Sequence, residues 1–151
     1  MSETILLRPI GIIHTPFANK EQAPAQNCFA AGATGHVELF PEYVEGLRDI
    51  EGFSHLILLY NFHKSIGWSP ITKPLLDSRE RGIFAVRHYQ RPNPIGLSLV
   101  RLIRRQADIL QVQDVDMLDG TPLLDVKPYV PDFDARSNAK TGWYAHANNK
   151  K

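Results

Sequence analysis

Short apolar runs separated by turn residues dominate this chain, and they read as strands. Pro9 to His14 is β-branched and stops at Thr15-Pro16, where proline restricts the residue before it to extended backbone. His36 to Phe40 alternates polar and apolar positions, the mark of a half-buried strand. The unbroken apolar run from His55 to Phe62 predicts a strand buried on both faces. Further strands are predicted over 81–87, over 95–102 (where Ser98 and Arg101 interrupt the apolar pattern), over 109–115, and over 123–126 after a tight turn at Asp119-Gly120. A helical turn or two is predicted over 41–47, with Pro41 near its start. Residues 17–35 are poor in aliphatics and rich in Ala, Asn, Gln and Gly, a long loop of the kind that carries function in compact domains.

Strands at this spacing predict a mainly β protein, a small single-domain β-barrel with short helices and loops. The alternating β-α rhythm of a doubly wound fold is absent. The barrel is expected over residues 1–135, followed by a polar C-terminal tail, 136–151, that folds only if it docks.

The length of 151 residues suits one domain with a real core, and 43% apolar with 22% charged residues is ordinary for a globular chain. A formal net charge of +1 supplies no bulk positive field, which argues against a protein held to nucleic acid by charge alone. Local basic clusters remain at Arg101, Arg104 and Arg105, and at Arg79, Arg81, Arg87 and Arg91. The single cysteine, Cys28, rules out an intrachain disulfide and a Cys-based zinc site. The N-terminus lacks the pattern of a signal peptide, and the longest apolar stretch, Leu56–Tyr60, is too short to span a bilayer. A cytoplasmic protein with no membrane association is expected. Six histidines form no His-Glu-x-x-His or His-x-His pair, so no metal is expected.

No Gly-x-Gly-x-x-Gly follows a strand and no Gly-x-x-x-x-Gly-Lys-Ser/Thr occurs, which excludes the usual nucleotide loops. Two segments carry chemistry. In Arg87-His88-Tyr89-Gln90-Arg91-Pro92-Asn93-Pro94-Ile95-Gly96 two prolines stiffen the backbone, so the arginines can offer guanidinium forks to a carboxylate or phosphate at little entropic cost. The second segment runs from Asp116 to Tyr129, and within it Asp119-Gly120-Thr121-Pro122 exposes a carboxylate, backbone amides and a hydroxyl within four residues, a cradle for a ribose or amino-acid moiety. On the residues alone, a rigid surface turn and a capped hairpin turn account for these segments equally well.

Together these strings resemble the TsaA-like (YaeB/TrmO-like) family of tRNA adenine-N6 methyltransferases. The matching pieces are Pro9-Ile10-Gly11-Ile12-Ile13, Gly46-Leu47 through Gly52-Phe53-Ser54-His55-Leu56, Phe62-His63, Arg81-Gly82-Ile83-Phe84-Ala85, Arg91-Pro92-Asn93-Pro94-Ile95-Gly96-Leu97-Ser98, Asp119-Gly120-Thr121-Pro122 and Asp125-Val126-Lys127-Pro128-Tyr129, spanning roughly residues 8–134. The resemblance implies a β-barrel methyltransferase that uses S-adenosylmethionine, forms a homodimer with its cofactor sites near the subunit interface, and N6-methylates the threonylcarbamoyl-modified adenosine beside the anticodon of a tRNA. It carries cofactor binding to Pro24, Ala25, Gln26, His63, Lys64, Arg87, Leu97, Leu99, Asp119, Gly120, Thr121 and Pro122. Ala25 stands where many relatives have Arg, and Lys64 where Gln is common. The bacterial members have an additional C-terminal domain, whereas this chain stops soon after the barrel segments.

Methyl transfer from a sulfonium to an exocyclic amine needs in-line alignment and an acceptor for the amine proton. Asp119 is the expected acceptor, or else the holder of the donor's ribose hydroxyls. Arg91, Asn93, Arg101 and Tyr129 are the expected substrate contacts, with Tyr60, Tyr89 or Tyr129 stacking on the base. RNA binding is expected to rest on Arg91 and the Arg101–Arg105 cluster, brought together in a dimer. The alternatives are a methyltransferase acting on a small metabolite and a non-catalytic S-adenosylmethionine-binding module.

Overall fold

A computed structural model describes residues 3–24 and 32–147. Its strands are β1 Gly11–His14, β2 Thr34–Leu39, β3 His55–Asn61, β4 Ile71–Thr72, β5 Arg81–Gly82, β6 Ile95–Gln106, β7 Ile109–Gln113 and β8 Thr121–Pro128. Six of them close into a barrel in the order β1-β2-β7-β6-β3-β8, and β4 and β5 form a separate two-stranded ribbon. Every pairing is antiparallel.

The barrel closes because inward positions along each strand are apolar and alternate with outward ones. Ile13, Val37, Leu56, Leu58, Val100, Leu110, Val112 and Leu123 are all fully buried. Each such side chain contributes about 1.5–3 kcal/mol relative to exposure. A 3-10 segment over Pro41–Leu47 seats Leu47 against the core. Among the described residues no helix is long and apolar enough to cross a membrane.

Two elements differ from expectation for identifiable reasons. The His55–Phe62 run is not buried on both faces: Leu56, Leu58 and Tyr60 point into the core, while His55, Ile57, Leu59 and Asn61 are half-buried on the outside. The strand expected over 81–87 stops at Gly82 and passes into a 3-10 turn over Ile83–Ala85. Its partner β4 is bracketed by Pro70 and Pro74, and the Ile83 amide donates to the Pro70 carbonyl as the last bond of the ladder. Pro70 has no N–H to give in return, so pairing ends there. Beyond Ala135 the chain folds back in a short 3-10 segment, Gly142–His146, where Trp143 Nε1 donates to the Ala85 carbonyl at 2.6 Å.

The Asp119-Gly120 turn forms as expected. The Thr121 amide reaches the Leu118 carbonyl at 3.3 Å, and Gly120 takes φ +81°. That left-handed value at the third turn position is the one a type II turn reserves for glycine. The turn delivers β8 beside β1 and β3, so the start of β8, the end of β3 and the start of β6 meet at one end of the barrel.

Candidate functional site

At that end a cavity of about 620 Å³ opens, within the range of small-molecule sites. Its floor comprises Tyr60 from β3, Gly96 and Leu97 from β6, and Asp116, Met117 and Thr121 ahead of and within β8. Phe62–Ser65 and Arg87, Tyr89 and Arg91 form one wall, and the 18–24 loop forms the other.

One side is aromatic. Phe62 meets Tyr60 edge-on at 5.5 Å between ring centroids and Tyr89 at 6.2 Å, and Tyr89 stacks on His88 at 4.2 Å. Lys20 Nζ donates to the Tyr89 hydroxyl at 3.3 Å and lies 5.8 Å from its ring centroid, at the rim of the ring on the hydroxyl side. Burial pushes the His63 imidazole below its ordinary range, with Lys64 adding to the effect. His88 is lowered by burial and then by the charges of Lys20 and Arg91. Both rings are therefore neutral near pH 7, which leaves Lys20, Lys64, Arg87 and Arg91 as the wall's positive charges.

The floor is polar at one point. The Tyr60 phenol and Ser98 Oγ are 2.7 Å apart, and Ser98 Oγ in turn donates to Asp116 Oδ1 in a short hydrogen bond. With the serine hydrogen committed to the carboxylate, the phenol is the donor to Ser98. Tyr60 and Ser98 are almost completely buried. Burial, and next the negative charge of Asp116, holds the phenol well above its usual range, with the Arg87 charge opposing more weakly. The phenol thus stays protonated and the chain of donors points at Asp116.

The structure sorts the sequence candidates into groups. Pro24, His63, Lys64, Arg87, Arg91, Leu97 and Thr121 line the cavity. Arg91 Nη1 donates to the carbonyls of Val86 and His88 at 2.8 and 3.0 Å, which fixes the guanidinium in the wall. The Thr121 hydroxyl is occupied by the Leu118 carbonyl at 2.6 Å. Asp119, Gly120, Pro122, Leu99 and Asn93 are not among the lining residues. Asp119 Oδ1 accepts the Thr15 amide at 3.0 Å and faces His14 Nδ1 at 3.6 Å, so this carboxylate is turned toward the end of β1. Leu99 lies half-buried on the outward face of β6, and Asn93 is exposed. Arg101 pairs with His55, whose ring packs edge-on against Tyr129 at 6.3 Å. That group sits at the opposite end of β3, roughly 17 Å from Tyr60 at the usual strand rise. Ala25 and Gln26 lie outside the described residues.

Sequence reasoning did not single out Lys20 or Glu21, and it gave no role to Phe62 or Asp116, although both fall within the motif segments. For the last there was a signal, since Ser98 places a hydroxyl at an inward position of an otherwise apolar strand.

The cavity suits a ligand that combines a flat ring system and a carboxylate, since aromatic edges and positively charged side chains share one pocket. Fold and site together define a closed antiparallel barrel with an aromatic, positively charged cavity at one end. A family model described as the tRNA-methyltransferase O N-terminal domain matches residues 12–135. A Pyrococcus abyssi protein named as a probable S-adenosyl-L-methionine-binding protein is 52% identical, over 92% of this chain and 76% of its own length. The tRNA (adenine(37)-N6)-methyltransferase of Escherichia coli K12 is 36% identical over 89% of this chain. The crystal structure of TrmO from Pseudomonas aeruginosa matches at a TM-score of 0.80 and 41% identity, over 93% of this chain. The chain spans 61% of the Escherichia coli protein and 62% of the Pseudomonas chain. It belongs to the tRNA-methyltransferase O N-terminal domain family.

Proposed function

We propose that this protein is an S-adenosylmethionine-dependent methyltransferase that places a methyl group on N6 of an adenine beside the anticodon of a tRNA, with the threonylcarbamoyl-modified adenosine as the preferred acceptor. The observation that carries this reading is the coincidence of the family match over the whole barrel with a cavity whose residues suit the donor. When bound, the donor supplies an electrophilic methyl group on a sulfonium. Arg87, Arg91 and Lys64 are placed to hold carboxylates, of the donor's amino acid or of a threonylcarbamoyl group, and Phe62 and Tyr89 offer ring faces and edges to a cation or a base. Methylation of the adenine is supported by the names of the Escherichia coli and Mus musculus relatives, each a tRNA (adenine(37)-N6)-methyltransferase. An anticodon-loop base is already unpaired, so little unstacking energy is needed to present it.

Homodimerisation is part of the same proposal. The outward face of β6 carries Ile95, Leu97 and Ile103, all more than a third exposed, a ladder of apolar positions on which a second barrel can pack. A dimer would also bring into play the Arg101 and Arg104 side chains, which sit roughly 17 and 26 Å along β6 from Gly96 at the cavity of their own subunit.

The decisive experiment incubates the protein with labelled donor and bulk tRNA, with and without threonylcarbamoylation, and analyses the nucleosides by mass spectrometry. N6-methylated nucleoside is the expected product. Donor binding in calorimetry without transfer to any tRNA would favour the small-metabolite or binding-module reading, which the naming of the archaeal relative also suggests. Affinity for tRNA should fall as salt rises, and a flat salt dependence would count against an RNA substrate.

A further inference from the structure

We infer that Asp116 is the catalytic proton acceptor for the amine that receives the methyl group, held in place by Ser98 and Tyr60 as positioning residues; this rests on the methyltransferase reading above. The carboxylates on the cavity wall are Glu21, exposed in the 18–24 loop, and Asp116, partly buried on the floor. Asp119 faces the end of β1 and is bonded to the Thr15 amide there. Asp116 alone is built into the barrel through side chains of two strands, Ser98 from β6 and Tyr60 from β3.

A phenol, a hydroxyl and a carboxylate in a row inside an apolar barrel cost desolvation that three apolar residues would avoid. Such a network adds little to stability relative to an apolar replacement, and its value lies in what it orients. Here the phenol donates to the serine and the serine to the carboxylate, so both hydrogens stabilise the ionised form of Asp116 and fix its orientation. These bonds lower the basicity of Asp116, so what they supply is a fixed orientation at the cavity floor, where the carboxylate can take the proton of an amine made acidic by methylation.

The step balances as a displacement. The amine lone pair forms the N–C bond, the C–S bond breaks, and sulfur keeps its electron pair as a neutral thioether. The amine proton passes to the Asp116 carboxylate and from there to solvent. Tyr60 and Ser98 keep their protons throughout.

The test compares wild type, D116N and S98A in single-turnover transfer across pH, with donor affinity measured in parallel by calorimetry. D116N keeps the side-chain volume and an acceptor for Ser98, and should lower the transfer rate roughly 10²- to 10⁴-fold while donor Kd changes less than about threefold. S98A removes the hydrogen that favours the ionised carboxylate, so the acidic limb of its rate profile should move to higher pH, a change that a purely structural role would not produce. Other titrating groups face the same cavity: Lys20 and Glu21 from the loop, His63 and Lys64 after β3, and Arg87, Tyr89 and Arg91 opposite. His63, lowered by burial, also titrates on the acidic side, so H63N is profiled alongside and should retain the acidic limb that D116N loses. If wild type and D116N transfer at equal rates, Asp116 has no such role. A loss of donor affinity as large as the loss of rate would assign it to donor binding instead. If wild-type protein modifies no tRNA, the acceptor assignment falls first, and this inference with it.

Discussion

Gly96 lies directly opposite Tyr60 in the β3–β6 pair, and the tyrosine ring occupies the space a side chain there would need. A Cβ at this position would sit 2.6 Å from Tyr60 Cζ and 2.9 Å from Phe62 Cζ. The glycine is thus what allows two aromatic rings to form the floor of the cavity. Replacing it with alanine forces both rings aside, and Tyr60 cannot move without leaving Ser98. G96A should cost about 1–3 kcal/mol of stability, the usual range for overpacking a core. Urea unfolding measures this directly, and an unchanged midpoint would mean that the rings yield without strain.

Asp119 stands in a different relation to the site from Asp116. Its carboxylate is about half exposed and holds the Thr15 amide, tying the end of β1 to the turn that starts β8. One such bond contributes about 0.5–1.5 kcal/mol. D119A should therefore lower stability by about that amount and slow methyl transfer far less than D116N. A transfer rate that collapses in D119A, with the melting temperature intact, would restore Asp119 as the reacting carboxylate.

The barrel was legible in the sequence because its code is local: alternation along 36–40 and 109–113, and turn residues at Asp119-Gly120, declare themselves within a few positions. The strand expected over 81–87 failed because its fate is set by a partner, the proline-bracketed β4, which no local pattern in 81–87 reports. The site was half legible. The arginines of the 87–91 segment and His63 and Lys64 were found through the motifs, and they do line one cavity. Asp119 and Asp116 are separated by only a short stretch of the β7–β8 connection, and their partners, Ser98 for Asp116 and the Thr15 amide for Asp119, decide which of them faces the cavity. Ser98 was visible as a break in an apolar run, but its meaning depended on Tyr60, which lies across the barrel wall on another strand. Arg101 and Tyr129 share a neighbourhood with His55 at the other end of β3, a separation that the order of motifs along the chain does not reveal.

Tyr89 joins the aromatic wall to the loop that carries Lys20. Its ring contacts Phe62 and His88, and its hydroxyl bonds to Lys20. If the ring receives the donor's cation or base, Y89A should weaken donor binding by roughly 2- to 30-fold, corresponding to about 0.5–2 kcal/mol. Y89F keeps the ring and should stay close to wild type in calorimetry. Equal losses in both variants would transfer the role from the ring to the hydroxyl and its lysine.

His88 and His63 give the protein a defined response to acid. His88 Nδ1 accepts the Gln90 amide at 3.1 Å, which requires an unprotonated Nδ1, and burial followed by Lys20 and Arg91 lowers its pKa. His63 is lowered by burial and by Lys64. Each group binds its proton more readily in the unfolded chain, whose histidines titrate near their ordinary value of about 6.5. The stabilisation is therefore complete above that value and is lost as pH falls through the lower folded values. The melting temperature should decline between about pH 7 and pH 5. In H88N an amide oxygen can replace Nδ1 as the acceptor for Gln90 but carries no titrating proton, so its decline should be shallower. Parallel slopes for the two proteins would show that the acid sensitivity arises elsewhere, and the 86–91 wall of the cavity would then keep its shape in acid without help from His88.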